Sequence, residues 1–201
     1  LGYRELAPRT SYAKLLRAEV ALRHRLPPAL VQLASHLADP ALAAFSRERL
    51  VRRPPGLAVD RPARFDARFE DLWRAVASSS RVLVERSAEI LDWRYEQGSP
   101  DAARPCRIFA LERAGKIQAY LVYQERRGSW HVLDILWIDE GPALEALLAE
   151  FLREARSAGA AAIVLSTYGI PASLAAALRR FGFVQRQTRP PLMLHVPQGS
   201  P

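Results

Sequence analysis

Two stretches of the chain hold the groups best suited to anion binding or proton transfer. "DILWIDEGPALEALLAEF", Asp134–Phe151, reads as an apolar strand, a very short turn and an amphipathic helix. A strand running into a helix N-terminus is a place where backbone N–H groups and the helix dipole can hold phosphate. Here the turn is Asp139, Glu140, Gly141 and Pro142: two acids, a proline and one glycine, where a phosphate cradle needs several glycines and a basic residue. Within the strand, Asp134 stands amid "VLDILWI", a position that predicts a buried carboxylate. The second stretch is "DWRYEQ". Arg94 there could clamp a carboxylate or phosphate with two parallel hydrogen bonds, or pair with Asp92, Glu89 or Glu96 as scaffold, and Trp93 and Tyr95 beside it read as core or cleft wall. Other chemistries have no footing. His24, His36, His131 and His195 are scattered and there is one cysteine, so no metal-ligand spacing exists. No nucleophile elbow, P-loop or dinucleotide fingerprint is present.

The framework that places these residues is set by the wider pattern. With 201 residues, 49% hydrophobic and 25% charged, the chain is of ordinary globular composition, long enough for one large domain or a medium domain plus an extension. No apolar run approaches the ~18 residues of a membrane span, and the first ten residues lack a signal-peptide core. The single cysteine, Cys106, fits a reducing compartment, most simply the cytoplasm. The net charge of +8 is uneven: residues 1–53 hold ten Lys/Arg against four Asp/Glu, and the remainder is close to balanced. The excess lies in helical stretches ("RAEVALRHRL", "SRERLVRR") without interleaved aromatics. It reads as a solvated or domain-contacting face and not as a nucleic-acid surface.

Residues 12–25 are helix-compatible through Leu15, Leu16, Val20 and Leu22; "LPPALVQLASHLADP" predicts a second helix ended by Pro40, and "ALAAFSRERL" a third. "RRPPG", Arg52–Gly56, is the best linker. After it come a short strand "LAVD", a helix with Phe65, Phe69, Leu72, Trp73 and Val76 on one face, then a short strand and a helix in "RVLVERSAEILDWRYEQ", with Ser87 as N-cap. Three antiparallel strands come next, "CRIFALERAG", "KIQAYLVYQERRG" and "SWHVLDILWI", with turns at Ala114–Gly115 and Arg127–Gly128–Ser129. Pro142 opens a helix at a first-turn position, with Leu144, Leu147, Leu148, Phe151, Leu152 and Ala155 as its buried stripe and Gly159 as its stop. The strand "AAAIVLST", the helix "PASLAAALRRFGF" and a strand pair or bent strand broken at Pro190–Pro191 complete the chain.

This order, with "RRFGFVQRQ" (Arg179–Gln187) and "RSAEILDWRYEQ" (Arg86–Gln97), resembles the GNAT superfamily of acyl-CoA N-acyltransferases; the second motif is similar to an element of bacterial GNAT-like proteins. The resemblance covers about residues 57–196. It implies an α/β (α+β) fold: a mixed, mostly antiparallel central sheet flanked by helices, here with an N-terminal helical arm. It also implies transfer of an acetyl or other acyl group from acyl-CoA to a small-molecule or peptide amine. The cofactor-binding turn then maps to Ile138, Gly141, Pro142, Ala143 and Leu144. The family's loop motif is absent there, and the shortened, acidic turn disfavours CoA pyrophosphate. The usual general-acid tyrosine is replaced by Leu178, leaving Tyr168 as a substitute; Asp134, Glu125 and His131 are the candidate bases, with an Asp134 bonded to backbone or to an arginine as the alternative. Trp93, Arg94 and Tyr95 are the expected substrate-binding group.

Finally, Leu1–Leu16 aligns without gaps on Phe181–Val196, Gly2 with Gly182 and Tyr3 with Phe183. The expectation is a tandem protein: residues 1–16 as the terminal strand of a preceding GNAT-like domain, 17–55 as a helical arm, 56–196 as a GNAT-like domain and 197–201 as a tail. Three functions stay open: an N-acyltransferase with a diverged CoA loop, a GNAT-fold half that shapes an acceptor cleft without binding CoA, as in Fem-type transferases, and an interaction domain. The partners expected are the amine acceptor and a preceding GNAT-like domain or partner chain.

Overall fold

The structure, a computed structural model, describes residues 3–7, 9–22, 27–44, 46–78, 84–97, 105–138, 142–168, 170–187 and 192–195. In chain order the elements are β1 (Tyr3–Ala7), β2 (Arg9–Leu15), α1 (Glu19–Leu22), α2 (Pro28–Ala44), a 3-10 turn (Arg47–Arg49), β3 (Ala58–Asp60), α3 (Ala67–Ala77) and α4 (Ala88–Asp92), which runs on as a π-helical turn (Trp93–Gln97). Then come β4 (Arg107–Arg113), β5 (Lys116–Arg126), β6 (Ser129–Trp137), α5 (Ala143–Ser157), β7 (Ala162–Tyr168), α6 (Ala172–Arg180), β8 (Val184–Gln187) and β9 (Leu192–His195). Among the described residues these strands form a seven-stranded sheet in the order β3-β4-β5-β6-β7-β2-β8 and a two-stranded β1-β9 ribbon. In the large sheet only β6·β7 is parallel.

The alternation of strands β4 and β5 splits the interior into two layers. Phe109, Leu111, Ala119, Leu121 and Tyr123 face α5 and α6, with Leu147, Phe151, Leu152 and Leu178. Ile108, Ala110, Ile117, Tyr120 and Val122 face α3 and α4, with Phe65, Phe69, Leu72, Leu91 and Tyr95. Edge-to-face rings pin the second layer: Phe69 stands 5.0 Å from Phe65 and 5.2 Å from Tyr120. Both hairpins turn on two consecutive left-handed residues, Ala114–Gly115 and Arg127–Gly128, the backbone that a two-residue turn needs to match strand twist. The second turn is thus a residue shorter than expected.

Several expectations are corrected. Residues 12–15 are strand, not helix: Tyr12, Lys14 and Leu16 point inward at period two, and the full-length pairing of β2 with β7 outweighs local helix compatibility. The second helix runs on through Pro40 into the start of the expected third, to Ala44, and residues 47–49 of that third helix form a 3-10 turn. A proline inside a helix costs roughly 3 kcal/mol; anchoring at Val31, which is buried, and at Asp39, whose Oδ1 accepts from Ala18 N at 2.6 Å, holds the helix across it. The strand expected at 81–84 lies outside the described residues except for Val84, which is not in a strand. Pro142 stands at the N-cap of α5, just before the first helical residue, its carbonyl accepting from Ala146 N. Ser87 caps α4 by position only; its hydroxyl turns to Glu85 while the Glu70 carboxylate accepts from Ala88 N. The last two strands do not pair with one another: β8 lies against β2 and β9 against β1.

One buried ion cluster locks the N-terminal strand to this body. Lys14 Nζ donates to Glu48 Oε2 at 2.8 Å and to the Phe181 carbonyl at 2.7 Å, and Arg156 donates to Glu48 Oε1 and to Ser46. Burial works to raise the Glu48 carboxyl, but hydrogen bonds from Lys14, from its own backbone and from Arg156 hold it below the usual carboxylate range. Burial draws the Lys14 ammonium down, outweighing the hydrogen bond and charge of Glu48 that hold it up, and the like charge of Arg156 adds to the lowering.

Candidate functional site: the opening between β6 and β7

The parallel β6·β7 ladder covers only Trp130–Val132 against Ile163–Leu165, and beyond it the two strands are not paired with each other. The cause is local to β6: its register with β5 slips between Val132 and Asp134, opposite Tyr123 and Val122, leaving Leu133 as an extra residue. Such a bulge bends a strand and re-aims the residues beyond it. From Leu133 to Trp137 the β7-facing edge of β6 has no strand partner among the described residues, and Ser166–Tyr168 of β7 pairs only with β2. Backbone amide groups rarely stay unpaired when buried, so the unpaired stretches of β6 and β7 are the feature of this sheet that asks for an explanation.

The buried wall of the gap is polar. Asp134, 9% exposed, is held by Arg86 through Nε at 3.0 Å and Nη2 at 3.0 Å, by Tyr120 Oη at 3.3 Å and by Ile135 N at 3.0 Å. Arg86 is in turn fixed by the Val84 carbonyl at 3.0 Å. Burial opposes the Arg86 charge, but the Asp134 carboxylate outweighs it and raises the guanidinium above its ordinary value. Burial and the same carboxylate push the Tyr120 and Tyr95 hydroxyls up, so both remain protonated throughout the neutral range. The Asp134 carboxylate thus sits in a two-toothed arginine clamp, with its charge matched and its oxygens hydrogen-bonded. Asp134 is bonded both to an arginine and to backbone.

Around α4 the π-helical turn, a distortion common at functional sites, turns side chains outward. Trp93 is 62% exposed, Arg94 is exposed with its guanidinium 5.5 Å over the Tyr95 ring, and Tyr95 is buried in the layer below. Glu89, Ile90, Asp92 and Trp93 line a cleft of about 660 Å³. Asp92 also fixes the wall, its Oδ1 accepting from Phe65 N at 3.1 Å.

The other expected residues separate. Tyr168 ends β7 opposite Arg9 of β2, at the mouth of the gap. Glu125 is exposed near the β5–β6 turn, on the far side of the β6·β7 ladder from the gap; His131 lies within that ladder opposite Val164, half-buried, its imidazole lowered by burial and by Arg126. Ile138, Ala143 and Leu144 spend their side chains on the core, and Ile138 N already donates to Gln118 O at 2.9 Å. Pro142 is exposed and has no N–H; the first-turn acid Glu145 pairs with Arg180. Gly141, with Asp139 and Glu140, lies outside the described residues. Missed in the sequence were Arg86 and Tyr120, 48 and 14 residues from the carboxylate they hold; Tyr120 had the signal of strand alternation, Arg86 none. Among the described residues no cluster suits a metal ion, and no helix is long and apolar enough to cross a membrane.

No protein-family model and no curated relative matches the sequence. Solved structures do match in fold. A conserved Enterococcus faecalis V583 protein of unknown function, named as a probable N-acyltransferase, superposes with a TM-score of 0.58 at 16% identity, over 96% of this chain and 40% of that one. A GCN5-related N-acetyltransferase from Anabaena variabilis gives 0.54 at 13% identity, over 92% and 40%. Another from Kribbella flavida gives 0.50 at 14%, over 98% and 61%. The mixed sheet with its flanking helices is therefore the fold of GCN5-related N-acetyltransferases, and the chain spans about half the length of these similar structures.

Proposed function

We propose that this domain is the acceptor-binding half of a tandem N-acyltransferase, seating an amine-bearing small molecule or peptide that receives an acyl group from an acyl-CoA. The observation that carries the reading is the early end of the β6·β7 ladder at Val132 and Leu165. A ligand entering the gap in extended form can take the hydrogen bonds the two strands do not give each other, as an added strand does.

Charged residues choose between ligands. Glu89 and Asp92 share the α4 cleft with the exposed Trp93 indole, a pairing of carboxylates and an aromatic face that suits an ammonium ion. The sequence between β6 and α5 carries Asp139 and Glu140, two negative charges that disfavour a diphosphate. With Asp134 clamped by Arg86, proton removal from the amine falls to a group outside this wall. The donor is acetyl-CoA or another acyl-CoA, held mainly by the companion half. The alternative is that the donor itself occupies this gap, which the N-cap of α5 favours: Pro142 offers no side-chain acceptor to the helix amides.

Parallel calorimetric titrations of the chain with a short lysine-containing peptide and with acetyl-CoA separate the two. The acceptor reading expects peptide binding weakened several-fold by Trp93→Ala, since a cation–π contact is worth about 0.5–2 kcal/mol, and no acetyl-CoA binding up to millimolar. Micromolar acetyl-CoA binding that Pro142→Glu abolishes would instead place the donor here.

A further inference from the structure

The two sequence segments that align, 1–16 and 181–196, are built alike. By that alignment β1 corresponds to β8, and β2 to β9. Neither pair stays together. β2 leaves β1 and inserts between β7 and β8, antiparallel to both. β9 leaves β8 and lies antiparallel on β1, in a register one residue from the one β2 takes on β8. Each second strand has thus gone to the other segment's first strand. On one side the result is a finished sheet, because β7 stands on the far edge of β2 over seven residue pairs, Arg9–Leu15 against Ala162–Tyr168. On the other side no described strand stands on the far edge of β9. A two-stranded ribbon is marginal alone in water, and an open edge of N–H and C=O groups invites a further strand.

We propose that the β1–β9 ribbon is the end of a second sheet of the same fold, belonging to a domain encoded before Leu1, and that a strand of that domain equivalent to β7 pairs antiparallel with the free edge of β9. The two domains exchange their last strands: β2 closes the sheet described here and β9 closes the other. The inference rests on the tandem reading and adds its joint. The physical consequence is that neither sheet is complete alone, so the halves unfold as one cooperative unit. The arm supports the same occupant. Leu30 and Leu37 of α2, two turns apart on one face, are 51% and 76% exposed on the segment that joins β2 to β3, an apolar face that a second body would cover.

The test uses the protein as its gene encodes it, including whatever precedes Leu1, and compares it with the 201-residue chain by hydrogen–deuterium exchange. Amides of residues 192–195 are expected to exchange at least about 100-fold more slowly in the longer protein, as strand amides do once paired. Met193→Pro, which removes a ladder donor, is expected to speed exchange in the preceding domain at least about tenfold while leaving β4–β6 unchanged. The proposal is overturned by a gene with no such domain upstream, by equal protection of 192–195 in both proteins, or by a 201-residue chain that protects these residues as a homodimer. An intact preceding domain in the Met193→Pro protein would overturn it as well. None of these readings depends on acyl transfer, so an inactive protein with protected 192–195 would sink the functional proposal and leave the strand exchange standing.

Discussion

Strand β7 has two edges, and they are treated in opposite ways. Against β2 it is paired along its whole length, Ala162–Tyr168 with Leu15–Arg9; against β6 it is paired for three residues and then left open. Nothing in β7 accounts for the difference, since one strand presents both edges. The closed edge is secured by a strand from the far end of the sequence and by the buried Lys14–Glu48–Arg156 cluster. The open edge is produced by the Leu133 bulge and propped by the Arg86–Asp134 pair. Both clusters are buried carboxylates under arginine. One joins elements and shuts a gap; the other holds a strand bent so that a gap remains. Buried ion pairs here are read best as devices that specify a geometry, since their net stabilisation is small once desolvation is counted.

The contrast is probed most severely at the closed edge. Tyr12 is 2% exposed, packs in the α5 layer and donates to Gln185 at 3.3 Å. Tyr12→Ala is expected to remove about 3–5 kcal/mol, detaching β2 and leaving β7 and β8 apart, as measured by urea unfolding. Next is Glu48→Gln, which leaves Lys14 and Arg156 facing each other without a carboxylate; a loss of about 3 kcal/mol is expected. The pH dependence checks the cause. The Glu48 carboxyl is lowered in the folded state, so its stabilisation is complete above the unfolded glutamate pKa of about 4.3 and is lost as pH falls from there through the lower folded value. Wild-type stability should drop across that acid window and Glu48→Gln should drop less.

At the open edge, Asp134→Asn uncouples Arg86 and Tyr120 and is expected to cost about 1–3 kcal/mol. A general base would lose about 10²–10⁴ in rate on such a change; a group that only props the bulge predicts less than about tenfold in acyl transfer by the whole protein, with an unshifted pH profile. The smallest effect lies away from both edges. Ala114 and Arg127 sit at φ 50° and 51°, and asparagine tolerates that backbone better. Ala114→Asn and Arg127→Asn should each raise stability by about 0.5–1 kcal/mol in thermal melts without altering ligand binding. A change in binding would mean that the hairpins communicate with the gap.

The helices with one apolar face and the strands with turn signals were legible in the sequence. α3, α5 and α6 each carry a 3.6-residue stripe, and the β4–β5–β6 meander is punctuated by Ala-Gly and Arg-Gly pairs. Residues 12–15 read as helix because so short a stretch, with leucines at 15 and 16 at its end, satisfies a helical pattern as well as an alternating one, and the choice was made by β7, at the other end of the chain. Pro40 was misread for the converse reason, since a local penalty was overruled by contacts across the arm.

In the candidate site, Asp134 could be singled out as an acid in an apolar run, and that setting was enough to predict its burial. The acidic composition of the turn before α5, the aromatic-arginine group at 93–95 and the echo between the two ends of the chain were equally plain in the sequence. These are one-dimensional properties: identity, spacing and period. Other features came into being only on folding: which arginine neutralises Asp134, that Glu125 lies on the far side of the β6·β7 ladder from the gap, that β6 bulges at Leu133, and that the echoing strands trade partners. The reason is that register and strand order are set by pairing energies between segments distant in the chain. A shift of one residue there turns every side chain to the opposite face, and nothing in the local sequence records it.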